Sequence, residues 1–325
     1  MNLKGILGAS PKMKYIMFGG KGGLGKTTFS AAAAYYLAQQ GHKVLVFSVD
    51  PQASLSDIFQ KDIFGKGAVE IMPNLFAQEI NADQRIADYQ AQIKKQIIDR
   101  YGFDKVPDEI ESYIAAASSE PAMEESAIFD AVVDIVFTGE YDYYIYDLVP
   151  LGHALYYLSM SSIYDEWINK ITELRTEMQR YDQVAARMKS ESVSEEDEIL
   201  RELQEIRKRI NLSSSIFTDK EKTGFFFVLT PEEMTIIDTQ KAGELFSKFG
   251  VPISGYVVNR VLPEKLLKET IPAYLKHRIE SQREPLARIQ DCFKGQVVGS
   301  VQEFERDITG LEMIRKVSDQ LFGEA

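Results

Sequence analysis

A glycine-rich stretch near the N-terminus constrains the fold of this chain more than any other part of its sequence. The stretch FGGKGGLGKTT, residues 18–28, ends the apolar run KYIMFGG (14–20) and opens the segment KTTFSAAAAYYLAQQG. That segment is rich in helix-forming residues and closes at Gly41, and the apolar run KVLVFSVD (43–50) follows. This order predicts a buried strand, a glycine turn, a helix and a second strand parallel to the first.

Further apolar runs continue the same pattern along the chain. Four more runs are found at residues 141–149, 222–230, 252–261 and 295–301. Buried strands joined by helices predict an α/β fold with a doubly wound, mainly parallel sheet. In such sheets the functional loops lie at the carboxyl ends of the strands, so we expect the chemistry there.

Two long segments interrupt the alternation. Residues 82–138 and 155–216 lack a strand pattern, and their apolar residues recur at steps of three and four. We therefore expect residues 1–325 to form a single domain with helical insertions at about 82–138 and 155–216. The apolar stripe from Ile163 to Met178 has two interpretations: it lines a groove for an apolar helix, or it packs internally.

Composition limits the classes of function. The net charge is −12 and the pI is about 4.9, which argues against a nucleic-acid-binding surface. A bilayer span needs about 18 consecutive apolar residues, and no such run is found, so we expect no integral membrane protein. The one cysteine, Cys292, excludes a disulfide within the chain and favours a cytoplasmic location. Because the whole sequence contains only this cysteine and three histidines, we expect neither a zinc site nor an iron–sulfur cluster.

The glycine stretch matches a phosphate-binding pattern in which Gly20 and Gly25 are followed by Lys26 and Thr27. Glycines let backbone N–H groups curve around phosphate oxygens, and the helix that follows adds the positive end of its dipole. We expect Lys26 to reach the β- and γ-phosphates of ATP in catalysis and Thr27 to ligate Mg²⁺. The predicted nucleotide-binding residues of the loop are Gly20, Lys21, Gly22, Gly23, Leu24, Gly25, Lys26, Thr27 and Thr28.

Two aspartates end predicted strands beside this loop. Asp50 closes the second strand, where a catalytic carboxylate could orient or deprotonate an attacking water; the alternative is a turn residue before Pro51. Asp147 closes the apolar strand YYIYD, the arrangement in which a carboxylate holds Mg²⁺ directly or through water. Its alternative is also a turn residue at a strand end.

Lys21 is a second lysine that an ordinary loop of this kind does not need. The form KGGLGKTT is a deviant version of the pattern, typical of nucleotide-dependent dimers whose subunits meet face to face. In such dimers the extra lysine reaches the partner's phosphates, as an arginine finger supplied in trans does. We therefore predict a catalytic Lys21 and a homodimer with ATP at its interface. The alternative is a Lys21 that is solvated or paired within its own chain.

Along nearly its whole length the chain resembles the arsenite-pump and tail-anchored-protein-targeting ATPases, which are P-loop NTPases. GGKGGLGKTT resembles their deviant P-loop, SVDPQASLSDIF resembles switch I, and YDYYIYDLVPLGHAL resembles switch II. The resemblance implies that Asp50 activates water, and that Asn259 and Arg260, in GYVVNRVLPE, contact the adenine. It also implies that EFERDITGLEMI completes the base pocket, and that the helical insertions bind a client or a metalloid.

The chain departs from that family at several positions. Leu148, Val149, Leu151 and Ala154 replace the residues of the family's switch II pattern, with the loss of three hydroxyl groups. The segment PAYLKHR lacks the CxxC that binds zinc across the targeting dimers, and Cys292 cannot supply the three cysteines of the arsenite branch.

Three functions remain open at this point. The first is a dimeric switch ATPase, a phosphoanhydride hydrolase that couples ATP hydrolysis to a client or membrane partner through its helical insertions. The second is the energising subunit of an anion or metalloid pump. The third is a chaperone or adaptor for apolar helical segments, with nucleotide as the switch.

Overall fold

The computed structural model describes most of the chain. It describes residues 2–49, 53–148, 169–174 and 201–323, apart from 103, 109, 113–120, 138, 202, 203, 206, 210, 212–214 and 217. The strands are β1 (Tyr15–Gly19), β2 (Val44–Ser48), β3 (Val69–Met72), β4 (Leu75–Glu79), β5 (Tyr143–Asp147), β6 (Thr223–Leu229), β7 (Gly255–Val261) and β8 (Val297–Gln302). The α-helices are α1 (Leu3–Ala9), α2 (Lys26–Gln39), α3 (Ser54–Phe59), α4 (Ala82–Tyr101), α5 (Pro121–Phe137), α6 (Glu233–Lys248), α7 (Ala273–Ser281), α8 (Arg283–Cys292) and α9 (Gly310–Phe322).

All eight strands lie in one sheet in the order β3-β4-β2-β5-β1-β6-β7-β8. Every neighbouring pair is parallel except β3 and β4. The predicted α/β fold with a mainly parallel sheet is therefore confirmed, and the six apolar runs correspond to β1, β2, β5, β6, β7 and β8. The register pairs Asp147 with Phe18 of β1 and with Ser48 of β2, which brings the ends of three strands to one edge.

The antiparallel pair of β3 and β4 was not predicted from the sequence. These strands have only four and five residues, and a turn at Asn74, with φ 68°, joins them. Short strands with partly exposed residues, such as the edge strand β3 and its neighbour β4, give a weaker apolar signal than strands buried on both faces. The pair extends the sheet beyond β2.

Helices cover both faces of the sheet. On one face α2 packs with a row of buried alanines, Ala31–Ala34, and the ring of Tyr36 stacks on Phe322 of α9 at 4.1 Å. On the other face Phe246 of α6 contacts the ring of Phe225 at 4.6 Å. Phe226, between Phe225 and Phe227, belongs to the opposite core, because successive side chains of a strand point to opposite faces. The sheet is therefore doubly wound.

The first predicted helical insertion contains α4 and α5, which pack against each other. Helix α4 begins where Asn81 Oδ1 accepts a hydrogen bond from Gln84 N at 3.1 Å, and it ends at Gly102 with φ 67°. Most of the second insertion lies outside the described residues, including the stripe from Ile163 to Met178 except residues 169–174, which are helical. Among the described residues, no helix is long and apolar enough to cross a membrane.

Candidate nucleotide-binding site

Two glycines of the loop after β1 are required by close approach of neighbouring strands. Gly20 has φ +148°, and a Cβ there would lie 2.6 Å from the Val228 backbone oxygen of β6. Gly25 has φ +98°, and its Cβ would lie 2.5 Å from Asn259 Nδ2. A Cβ at Gly22 meets nothing within 4 Å. A side chain at Gly20 or Gly25 would therefore strain the loop, whereas the space beside Gly22 is open.

Strand β7 holds the loop through two adjacent side chains. Asn259 Nδ2 donates to the Leu24 oxygen at 2.8 Å, and Arg260 Nη2 donates to the Gly23 oxygen at 3.0 Å. Asn259 is 5% exposed, and its Oδ1 accepts a hydrogen bond from Arg260 N at 2.9 Å. Arg260 has φ 57°, an uncommon conformation for a residue other than glycine. Both residues therefore fix the path of the loop.

A buried carboxylate lies under the start of α2. Asp147 is 3% exposed, and its Oδ2 accepts a hydrogen bond from Thr27 Oγ1 at 2.6 Å. Its Oδ1 lies 3.4 Å from the donor Ser30 Oγ. Because Thr27 gives its only hydroxyl hydrogen to Asp147, the oxygen keeps lone pairs that a cation can use. Ser30 was missed from the sequence, although it lies one helical turn after Thr27 and hence on the same face.

The two lysines of the loop have different environments. Lys26 Nζ donates to the Lys21 backbone oxygen at 3.3 Å, so it lies across the loop. Lys21 Nζ forms an ion pair with Asp238 Oδ2 of α6 at 3.1 Å. The side chains of this pair are 55% and 35% exposed, so the pair is accessible to water and weak. In the single chain Lys21 is thus paired locally, and Asp238 was not predicted from the sequence.

Comparison with known proteins identifies the family. A family model described as anion-transporting ATPase matches residues 13–323. The chain belongs to this family of ATPases. The resemblance read from the three motifs is therefore confirmed, as is the prediction of an ATPase.

Individual relatives cover almost the whole ATPase. A putative arsenical pump-driving ATPase 2 of Aquifex aeolicus is 30% identical over 308 residues, which are 94% of this chain and 98% of the relative. ATPase GET3C of Arabidopsis thaliana is 28% identical over 95% of this chain and 82% of its own length. ATPase ASNA1 homolog 2 of Paramecium tetraurelia is 27% identical over 98% of this chain and 96% of its own length.

A polar cavity of about 170 Å³ in the ATPase lies beside the loop, with Arg260 in its wall. Its other lining residues are Thr230, Pro231, Glu232, Arg278, Ser281, Gln282 and Glu303. Arg278 pairs with Glu303 at 3.2 Å, and Gln282 bonds the backbone of Arg260 and Leu262. These contacts tie the end of β7 to α7 and to the segment after β8, where the sequence predicted a base pocket.

The structure brings most of the predicted site residues to this edge of the sheet. The loop Gly20–Thr28, Asp147, Asn259 and Arg260 lie together, whereas Asp50 lies outside the described residues. No group of three or more His, Cys, Asp or Glu side chains suited to a metal is found within the described part of the chain. Mg²⁺ does not require such a group, because it binds through one or two carboxylates, waters and substrate phosphates.

Proposed function

We propose that this ATPase binds ATP with Mg²⁺ at Gly20–Thr28 and hydrolyses it as a homodimer. In this proposal the cycle of closing and opening is coupled to a client protein or membrane partner through the helical insertions. One observation carries the proposal: the Thr27 hydroxyl and the buried Asp147 carboxylate meet at 2.6 Å beneath a loop in which Gly20 and Gly25 have conformations that a side chain would strain. This is the donor set that a magnesium–nucleotide complex requires.

The chain's own residues would divide the work of binding. The loop and Lys26 would hold the β- and γ-phosphates, since the start of α2 favours negative charge. Thr27 and Asp147 would hold Mg²⁺, the latter directly or through water; the ion neutralises charge on the phosphates. Asn259 and Arg260 would border the adenine; both hold the loop, and Arg260 also lines the polar cavity at the end of β7.

Hydrolysis needs a group that acts on the attacking water. Asp50 follows the end of β2, and the last residue of that strand, Ser48, is in register with Asp147. We assign to Asp50 the orientation of water and removal of its proton as the new bond forms at the γ-phosphorus. The bond to the bridging oxygen then breaks, and ADP and phosphate leave.

Lys21 would act on the nucleotide of the partner subunit. Its ion pair with Asp238 is exposed, and pairs of this kind contribute only about 0.2–1 kcal/mol. Lys21 could therefore leave Asp238 and bind the partner's phosphates with only a small loss of free energy. A lysine supplied in this way stabilises charge as an arginine finger does, an effect of roughly 10³- to 10⁵-fold in rate.

Mixed dimers test this proposal. Lys21→Ala and Asp50→Asn should each lose ATPase activity, with Lys21→Ala lower by roughly 10³-fold or more. A mixture of the two should regain activity, because the Lys21→Ala subunit keeps Asp50 and receives Lys21 from its partner. Lys12→Ala is a matched control, because Lys12 forms another exposed ion pair, with Glu221 at 2.9 Å.

The outcomes separate three possibilities. Recovery of activity in the mixture supports action in trans. Two inactive variants without recovery would place Lys21 in its own site, and full activity of Lys21→Ala would remove it from catalysis altogether. A wild-type chain that hydrolyses no ATP in any of these assays would contradict the proposed reaction itself.

The name of one relative favours a second candidate, the energising subunit of an anion or metalloid pump. That relative is called a putative arsenical pump-driving ATPase. The single cysteine of this chain, Cys292, disfavours a metalloid site of three thiolates. The ATPase rate with and without arsenite decides: stimulation that persists in Cys292→Ser would favour the pump subunit and require ligands other than thiolates.

A further inference from the structure

The carboxyl end of β4 carries a buried glutamate that the proposed mechanism does not use. Glu79 is 1% exposed. Its Oε1 accepts a hydrogen bond from the backbone N–H of Leu55 at 2.5 Å, and its Oε2 accepts one from the Ser56 hydroxyl. A buried carboxyl group is costly unless it is paired in this way. Glu79 of β4 therefore holds the first turn of α3, the helix that follows β2 in the chain.

The backbone around Glu79 also meets the end of β2. Glu79 lies opposite Ser48 in the parallel register, and Ile80 N donates to the Ser48 oxygen at 2.9 Å. One short segment of β4 thus contacts the chain at Ser48 and again at Leu55. Asp50 lies between these two points in the sequence.

The loop that follows α3 is also hydrogen-bonded to Glu79, both directly and through Ser56. Ser56 Oγ, which donates to Glu79, accepts a hydrogen bond from Ile63 N at 3.2 Å. Gly65 N donates to the Glu79 backbone oxygen at 3.2 Å. Hydrogen bonds therefore connect both the start of α3 and the loop after α3 to Glu79 at the end of β4.

The residue before α3 shows why such fastening is needed. Ala53 has φ 51° and ψ 39°, a left-handed conformation that is unfavourable for a residue with a Cβ. A strained conformation of this kind persists only where the surroundings determine it. The bonds from Glu79 to the next turn provide that restraint.

We infer that Glu79 is a positioning residue for hydrolysis. It holds the described chain at Ser48 and at Leu55, on either side of Asp50 in the sequence, and would thereby restrict the position from which Asp50 acts. This inference rests on the proposed role of Asp50. It assigns to Glu79 no contact with nucleotide, because the described contacts of its side chain go to Leu55 and Ser56.

Three variants test the inference: Glu79→Ala, Glu79→Gln and Asp142→Ala. Asp142 is a control because it lies at the amino ends of the strands, away from the loop. Its carboxylate also accepts a backbone hydrogen bond, from Lys43 N at 2.8 Å. Glu79→Ala should lower kcat for ATP by about 10- to 100-fold, the range expected for a misplaced catalytic group. The KM for ATP should change by less than about threefold, because the loop contacts of Lys26 and Asp147 do not involve Glu79.

The conservative variant should restore part of the loss. In Glu79→Gln the amide oxygen can accept from Leu55 N, and the amide nitrogen can donate to Ser56 Oγ. Its kcat should lie between those of the wild type and Glu79→Ala, whereas Asp142→Ala should match the wild type. A kcat unchanged in Glu79→Ala, or a loss equalled by Asp142→Ala, would overturn the inference. If Glu79→Ala does not fold, an unchanged kcat in both Glu79→Gln and Ser56→Ala would overturn it.

Hydrogen exchange tests the same inference without hydrolysis. In the nucleotide-free protein, the segment 48–59 should exchange faster in Glu79→Ala than in the wild type or Asp142→Ala. Unchanged exchange in that segment would overturn the restraint itself. A wild type that hydrolyses no ATP but shows the exchange difference would instead refute the proposed function and leave the restraint intact.

Discussion

Helices α2 and α3 both begin at the carboxyl ends of the strands, after β1 and β2, and their N-termini have different partners. Helix α2 follows Gly25 and, among the described residues, has no side-chain cap at its N-terminus. Helix α3 follows Ala53, also left-handed, but the buried Glu79 carboxylate holds its Leu55 N–H. A helix start favours an anion. At α3 the protein supplies that anion itself, whereas at α2 the proposed anion is the phosphate of a ligand.

Among variants that bear on these two helix starts, the largest effect should follow from removing the charge of Lys26 at the α2 start. Lys26→Ala should lower the ATPase rate by at least about 10²- to 10³-fold, because an electrostatic group aimed at developing charge is lost. A Lys26→Ala variant with the wild-type rate would break the comparison, because α2 would then not be the phosphate site.

The next largest effect should come from Asp147→Asn. This change keeps the shape beneath Thr27 but removes the negative charge, so activity should fall by about 10²-fold. The concentration of Mg²⁺ for half-maximal rate should rise. Thr27→Ser, which keeps the hydroxyl bonded to Asp147, should be much less affected. Equal magnesium dependence in Asp147→Asn and the wild type would remove Asp147 from the metal site.

A third prediction concerns the stability of the loop. In Gly20→Ala the new Cβ meets the Val228 oxygen at 2.6 Å with φ at +148°, which should lower the free energy of unfolding by about 1–3 kcal/mol. Gly22→Ala is the control for stability, since its Cβ meets nothing within 4 Å; it should change that free energy by less than about 0.5 kcal/mol. Urea unfolding of both variants checks this, and equal losses would contradict the account of the loop.

The smallest effect on stability should come from Asp238→Asn. The ion pair of Asp238 with Lys21 is exposed, so its loss should change the free energy of unfolding by less than about 1 kcal/mol. A larger loss in urea unfolding would mean that Lys21 is a structural residue of its own chain. That result would favour local pairing over action on a partner subunit.

The sequence predicted what neighbouring residues encode. Apolar runs marked the six strands β1, β2 and β5–β8, and the spacing of Gly20, Gly25 and Lys26 marked the loop. The contacts that fix the site join distant parts of the chain: Asn259 reaches Leu24 across 235 residues, and Asp238 reaches Lys21 across 217. No local periodicity reports such pairs. Glu79 was missed for a related reason, because it ends a short strand, β4, whose alternating burial gave no long apolar run.

The α2 start is proposed to accept a ligand's phosphates, whereas the α3 start is already held by Glu79. Hydrogen exchange of the wild-type protein with and without ADP and Mg²⁺ tests it most directly. Exchange should slow across residues 20–28, whereas the segment containing Leu55 should be unchanged, because ADP lacks the γ-phosphate that Asp50 would serve. No protection of residues 20–28 at saturating nucleotide, or protection confined to the α3 segment, would contradict the account.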